Sequence, residues 1–200
     1  MKGLFQRYSL LQLLQLSINV IRTKMTFRNA RIIRFPFDVR GKQYMSISKG
    51  FTTGVGCRLE AYPEGENKVL HIGKNVQIND YVHISAMENV TIGDNVLIAS
   101  KIFISDLNHG NYKGVNQDSP LSTPNSRKLS TNPIIIKDNV WIGEGVCIMS
   151  GVTIGIGCVI GALSVVTKNI PDYSIAVGSP AKVVKQYDFE KQEWIALIYK

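Results

Sequence analysis

The sequence predicts an all-β fold, a parallel β-helix of hexapeptide repeats, and three regularities predict it. Aliphatic residues recur every six positions in three series: Ile72, Ile78 and Ile84; Ile92, Ile98 and Ile104; then Ile136, Ile142, Ile148, Ile154, Ile160 and Val166. The residue after the aliphatic is often Gly or Ala, as at Gly73, Gly93, Ala99, Gly143, Gly155 and Gly161. Four residues after it comes another small or branched side chain, among them Val76, Val96, Val140, Val152, Cys158 and Ser164. A heptad helix cannot make a period of six, and a strand alternating by two would not demand a small residue at a fixed phase. Short strands joined by tight corners satisfy both. Three blocks make one triangular coil of about eighteen residues, with each aliphatic pointing inward onto its counterparts in adjacent coils. Each coil buries its inner face only against its neighbours, so stability accumulates along the stack.

In chain order, residues 1–26 read as an N-terminal amphipathic helix. Apolar positions 4, 8, 11, 14, 18 and 21 keep helical spacing, with Lys2, Arg7, Arg22 and Lys24 around them. Gln6, Gln12, Gln15 and Asn19 interrupt the run, which is too short and too polar for a membrane span. No small-x-small cleavage site follows, so no signal peptide is expected. Two readings stay open for this helix: packing on its own domain or a sister subunit, or resting as a basic amphipathic helix on the inner membrane surface.

Residues 27–186 read as the β-helix domain. Weaker blocks around Ile47 and from Thr53 to Leu59 form a first coil, and Tyr62–Lys68 a turn. The period breaks twice. Two residues are inserted between Ile84 and Ile92, and twenty-six between Ile104 and Ile136. The second insertion, 106–133, is a long aperiodic loop inside a repeat, a place where function concentrates. It carries His109, one of three histidines. Residues 187–200, with Trp194, Ile195, Leu197 and Ile198, read as a short C-terminal helix covering the open strand edge of the last coil.

Two hundred residues fit one domain. The excess of 23 basic over 15 acidic residues gives a formal charge of +8, suited to an anionic partner, whether nucleic acid, a membrane surface or a phosphorylated cofactor, among which the sign of the charge does not choose. No nucleic-acid partner is expected. Three cysteines without a CxxC pair, Cys57, Cys147 and Cys158, argue against a disulfide framework and a zinc site. A reducing, cytoplasmic setting follows.

The segments ISDLNHGNY (104–112), PIIIKDNVWIGEGVCIMSGVTIGIGCVIGALSVVTKNIP (133–171) and AVGSPAKVVK (176–185) resemble the polysaccharide and sugar O-acetyltransferases of the hexapeptide-repeat superfamily. Maltose and galactoside acetyltransferases are more distant relatives. The likeness spans roughly residues 47–185. It implies a left-handed parallel β-helix, a homotrimer with active sites between subunits, and acetyl-CoA as acetyl donor with no metal. The acceptor it implies is a sugar, nucleotide sugar or lipid-linked sugar of lipopolysaccharide or capsule synthesis. Other acceptors, an amino sugar, serine or an aminoglycoside, remain open, as does a non-enzymatic β-helix assembly protein.

The resemblance places the general base at His109. An imidazole with its ordinary pKa of about 6.5 suits removal of a hydroxyl proton at neutral pH. Asp106 and Asn108 flank it and either orient the ring, contact substrate or simply form the turn. Asn79 aligns, across a short gap, with an acceptor-binding asparagine. Gly143 and Glu144 match the corner whose backbone N–H meets the thioester carbonyl. Ala162, Thr167 and Lys168 match contacts to the pantetheine arm and adenosine, and Lys182 and Lys185 match basic residues near the coenzyme phosphates. His71 and His83 read as solvated surface histidines. The β-helical γ-class carbonic anhydrases need three histidines, two of them close together, and the loop here supplies only His109.

Overall fold

A computed structural model describes residues 8–197. Its strands run in repeating order through three parallel sheets, the faces of a triangular prism. Face one holds Phe37–Arg40, Cys57–Ala61, His83–Ala86, Phe103–Ser105, Cys147–Ile148 and Val165–Val166. Face two holds Met45–Ile47, Leu70–Ile72, Val90–Ile92, Ile134–Ile136 and Thr153–Ile154. Face three begins at Thr52–Thr53 and continues through Gln77–Ile78, Leu97–Ile98, Trp141–Ile142 and Val159–Ile160 to Ser174–Gly178.

The pairing register follows the interrupted period. Ile136 lies beside Ile154, Ile142 beside Ile160 and Ile148 beside Val166, each one uninterrupted coil apart. The two-residue insertion is absorbed between Ile72 and Ile92, and the long one between Ile92 and Ile136, without loss of register. All twelve periodic aliphatics are buried, as are the branched or small residues four positions later. A buried Ile contributes about 1.5–3 kcal/mol of transfer free energy, so the columns are the main source of stability.

The corner chemistry explains the small second position. A Cβ on Gly143 would stand 2.6 Å from Ala162 N, and one on Gly73 2.5 Å from Gly93 O. Backbone cannot yield there, so the coils stack only with a small residue. The left-handed residue of each corner is a different one, three after the aliphatic, and includes Asn75, Asn95, Asn139 and Leu163.

A second corner device lies two residues after the aliphatic. Asp80, Asp94, Asp138 and Asp172 each accept a backbone N–H from the coil before, respectively of Val55, Lys74, Asp94 and Ile156. Ser100 does the same for Asp80 N–H. These side chains satisfy amides that the tight corner would otherwise leave unpaired.

The ends differ from expectation. The stack begins earlier than its periodicity shows: Ile32 bridges Thr52, and Phe37–Arg40 pairs with Cys57–Glu60. The Phe- and Pro-containing stretch 33–37 hides this partial coil from a six-residue search. At the other end there is no helix among described residues 187–197. Ala181–Asp188 and Glu193–Ala196 form an antiparallel ribbon that extends face three. Val183, Val184, Tyr187, Trp194 and Ile195 favour a strand, and the open sheet edge offers a partner. Tyr173, Tyr187, Phe189 and Trp194 then pack edge to face, with centroids 4.8–5.3 Å apart. Residues 198–200 of the expected helix lie outside the described residues.

The N-terminal helix, α1, spans Leu10–Thr26, within the expected 1–26 segment. Ser9 and Gln12 close a capping box at its start. Thr23 Oγ1 accepts from Ile33 N–H at 2.7 Å, tying the helix to the first coil.

Candidate active site

The corners between faces sort the predicted residues into two groups. His109 belongs to the corner between faces one and two, where the chain leaves Ser105 and returns at Ile134. The insertion opens with a hairpin: Leu107–His109 runs antiparallel to Leu129–Thr131, with His109 opposite Leu129. Asn108 Nδ2 donates to Ser150 Oγ at 2.7 Å, anchoring the hairpin to the next coil. Ser130 Oγ donates to Gly110 O, and Tyr112 OH to His109 O. Arg127 Nη1 donates to Tyr112 OH at 2.7 Å and Arg127 Nη2 to Ser122 O, so the loop holds itself in shape. The backbone of His109 is thus fixed on both sides, while its exposed ring makes no hydrogen bond to a described residue. Lys168 and Thr167, both exposed, follow Val166 at this same corner.

Asp106 does not face solvent or His109. It is fully buried, and its carboxylate accepts from the N–H groups of Met87, Glu88 and Asn89 at 2.8–3.2 Å. It sits two residues after Ile104, the position of the corner aspartates, and caps the bend that the two-residue insertion widens. The expectation of a substrate-binding or ring-orienting Asp106 is therefore corrected. The carboxylate holds the corner from which the hairpin springs.

Asn79, Gly143, Glu144 and Ala162 share the corner between faces three and one. Asn79 is half-buried and its Oδ1 accepts from Gln77 Nε2 at 3.1 Å. Gly143 N–H is taken by Ile160 O at 2.8 Å. The next amide, Glu144 N–H, has no acceptor among the described residues. The residue stacked on it is Ala162, which has no side-chain oxygen; the equivalent amides of Ser100, Asp138 and Ser150 likewise have no acceptor among the described residues. Glu144 turns its carboxylate to Lys101 Nζ at 3.2 Å, which offsets its charge. Lys182 and Lys185, on the strand Ala181–Asp188 at the end of face three, are exposed and form no ion pair with described residues, and the same holds for Lys168.

One chain thus presents an imidazole at one edge of the prism and a free corner amide at another, and it does not bring them together. A cavity of about 320 Å³ against the hairpin is lined by Glu64, Met87, Glu88, Lys128, Leu129 and Thr131, not by His109.

Sequence reasoning missed an ionic cluster on the outer side of face one. Glu60 is buried and its oxygens meet His83 Nε2 at 2.7 Å, Arg40 at 3.0 Å and Arg58 at 3.3 Å. Phe103 packs on the His83 ring. His83 is half-buried in this cluster rather than solvated. The two-residue spacing of Arg58 and Glu60 in a strand put both on one face, and this was the available signal. Burial pushes the Cys57 and Cys158 thiols above the usual range, which makes neither a nucleophile. Among the described residues no group of three His, Cys, Asp or Glu is placed to hold a metal ion.

The comparisons with known proteins identify the family. Residues 133–168 match the family model "Bacterial transferase hexapeptide (six repeats)". The chain is 43% identical over 195 residues to an Escherichia coli (strain K12) protein named "Putative lipopolysaccharide biosynthesis O-acetyl transferase WbbJ", covering 96% of each. The chain belongs to the hexapeptide-repeat acetyltransferases. It is 37% identical to the galactoside O-acetyltransferase of the same organism, over 82% of this chain and 78% of that one. Among solved structures, a maltose O-acetyltransferase from Clostridium difficile 630 superposes with a TM-score of 0.50 at 30% identity, covering 84% of this chain and 75% of the other. The fold is also that of AntD, an N-acyltransferase from Bacillus cereus solved with a dTDP-amino sugar and coenzyme A. That match has a TM-score of 0.68 at 21% identity over 86% and 90% of the two chains. As a member of this family the chain is an acyltransferase that uses acetyl-CoA.

Proposed function

We propose that this acetyltransferase moves the acetyl group of acetyl-CoA to a sugar hydroxyl in lipopolysaccharide or capsular polysaccharide synthesis, with His109 as general base. The observation that carries the reading is the pair of half-sites: an exposed, rigidly mounted imidazole at one prism edge and an unpaired Glu144 N–H at another. His109 takes the hydroxyl proton as the acceptor oxygen attacks the thioester carbon. The carbonyl oxygen gathers negative charge and accepts from Glu144 N–H. As the C–S bond breaks, the imidazolium returns the proton to the departing thiolate, leaving an O-acetyl ester and free coenzyme A. General-base help is worth about 10²–10⁴ in rate, and a well-aimed amide about 10²–10³.

The two half-sites also support the quaternary reading. One chain's His109 edge can meet a Glu144 edge only on another chain. Two different edges pairing head to tail generate a ring when the rotation between copies closes. We take the ring to be a homotrimer of left-handed β-helices, with acetyl-CoA in the groove between subunits. Lys168, Lys182 and Lys185 supply cations for its phosphates, and the small Gly143–Ala162 corner leaves room for its pantetheine arm. Asn79 faces the acceptor. A cytoplasmic site suits the donor.

The test is a free-thiol assay with acetyl-CoA against a panel of sugars and nucleotide sugars. Thiol release should depend on a sugar, and His109→Ala should lower turnover about 10²–10⁴-fold while keeping coenzyme A binding. Unchanged turnover in that variant would remove His109 from the chemistry.

A further inference from the structure

Helix α1 packs the wrong way round for a helix that only braces its own domain. Its buried residues are Asn19 and Thr23, while Leu10, Leu11, Leu14, Ile18, Ile21 and Met25 are 41–81% exposed. At about 100° per residue these six fall within one arc of about 100°, a continuous apolar stripe along the whole helix. Its polar side is spent on the domain, where Thr23 receives the Ile33 N–H. The apolar side is uncovered within the chain.

The C-terminal end of α1 meets two grooves at the first coils, Lys24 lining both and Met25 of the stripe one. One, of about 430 Å³, is lined by Lys24, Arg31, Lys49 and Lys74. The other, of about 390 Å³, is lined by Met25 of the stripe with Lys24, Arg28, Lys42 and Lys68. No Asp or Glu lines either groove, and none of these seven cations forms an ion pair with a described residue. An apolar stripe bordered by cations that have no acidic partner among the described residues is complementary to a surface that is apolar beneath and anionic above. Stripe-on-stripe pairing with a second copy of this chain would not suit it, because it would press two basic grooves together.

We infer that α1 and the basic grooves dock this enzyme on an anionic phospholipid surface, the stripe lying in the acyl–headgroup boundary and the lysines and arginines meeting lipid phosphates. The helix lies on the membrane without crossing it, and no described helix is long and apolar enough to cross. Binding joins burial of the stripe to the attraction of each cation near the surface, worth about a fivefold gain in affinity apiece.

Flotation of the full chain with vesicles tests this. Vesicles of phosphatidylcholine with about a third phosphatidylglycerol should carry the protein, and phosphatidylcholine alone should not. The double variant Lys49→Glu, Lys74→Glu should lose binding by about tenfold or more, as should the triple variant Leu14→Glu, Ile18→Glu, Ile21→Glu. All these side chains are exposed, so both variants should keep the wild-type circular dichroism, oligomeric state and turnover on a water-soluble acceptor. Absence of wild-type binding to the anionic vesicles would overturn the inference. So would a change of oligomeric state in the triple variant, which would mark the stripe as a contact between copies. Retained turnover alongside lost flotation separates this surface from the acetyl-transfer site.

Discussion

In the proposed donor side, the residue stacked on Glu144 is Ala162, which offers its amide no acceptor, unlike the corners closed by Asp80, Asp94, Asp138 and Asp172. Where Asp94 stacks on Lys74, the amide of Lys74 is bonded at 2.7 Å; where Ala162 stacks on Glu144, the amide is open. Ala162→Asp should restore the structural pattern and fold normally, yet lower kcat about 10²–10³-fold by occupying the amide. Steady-state kinetics beside a thermal melt would check this, and a variant that keeps its turnover would leave Glu144 N–H outside the reaction. Asp106 shows the opposite economy. Replacing it with Ala leaves three part-buried N–H groups, those of Met87, Glu88 and Asn89, without this acceptor and should lower Tm by at least about 2–4 °C. His109 stands out in the sequence as an odd histidine on an aperiodic insertion, and the structure mounts it, exposed, on a hairpin. The burial of Asp106 was not legible, because the same letter serves a turn, a ring partner or a corner cap. Only the register that sets it two residues after Ile104 tells these apart.

At the scale of elements, the hairpin Leu107–His109 and Leu129–Thr131 is a mount for one side chain. Asn108 fixes it to Ser150, so Asn108→Ala should let the ring drift. A 1 Å displacement costs on the order of 10²-fold in rate, and kcat should fall by about 10–10²-fold with KM for acetyl-CoA unchanged. A rise in that KM instead would mean the residue belongs to donor binding. The coils themselves were read correctly from period six, since every periodic aliphatic is buried. The C-terminal ribbon was misread as a helix because Trp194, Ile195 and Leu197 fit helical spacing over too few residues to exclude a strand. What settled the matter was a sheet edge at Ser174–Gly178, which exists only once the stack is built. The N-terminal helix was legible as a helix, but which side it would bury was not. Asn19 and Thr23 face inward because the first coil offers Ile33 N–H, a partner that the periodicity gave no reason to expect.

At the scale of the whole molecule, the prism separates structural ionisable groups from those of the site. Asp172 accepts from Ile156 N–H and pairs with Lys137, which together hold its carboxyl below the usual range. A lowered folded pKa gives stability that is complete above the unfolded value near 3.9 and is lost as pH falls through the folded value. The stability difference between wild type and Asp172→Asn should therefore be constant from neutral pH down to about 4 and shrink below it, as denaturation at a series of pH values would show. In the proposed reading, by contrast, the active site is completed only between chains, because His109 and Glu144 sit on different edges of one chain.

That division is tested most directly by mixing two inactive proteins. His109→Ala chains keep the Ala162 corner, and Ala162→Asp chains keep the imidazole. Dissociated together and reassembled in equal amounts, they should regain about one-quarter of wild-type turnover, because about one interface in four then pairs an intact His109 edge with an intact Glu144 edge. Turnover no higher than that of the separate variants, in particles shown to be mixed, would contradict an active site shared between chains.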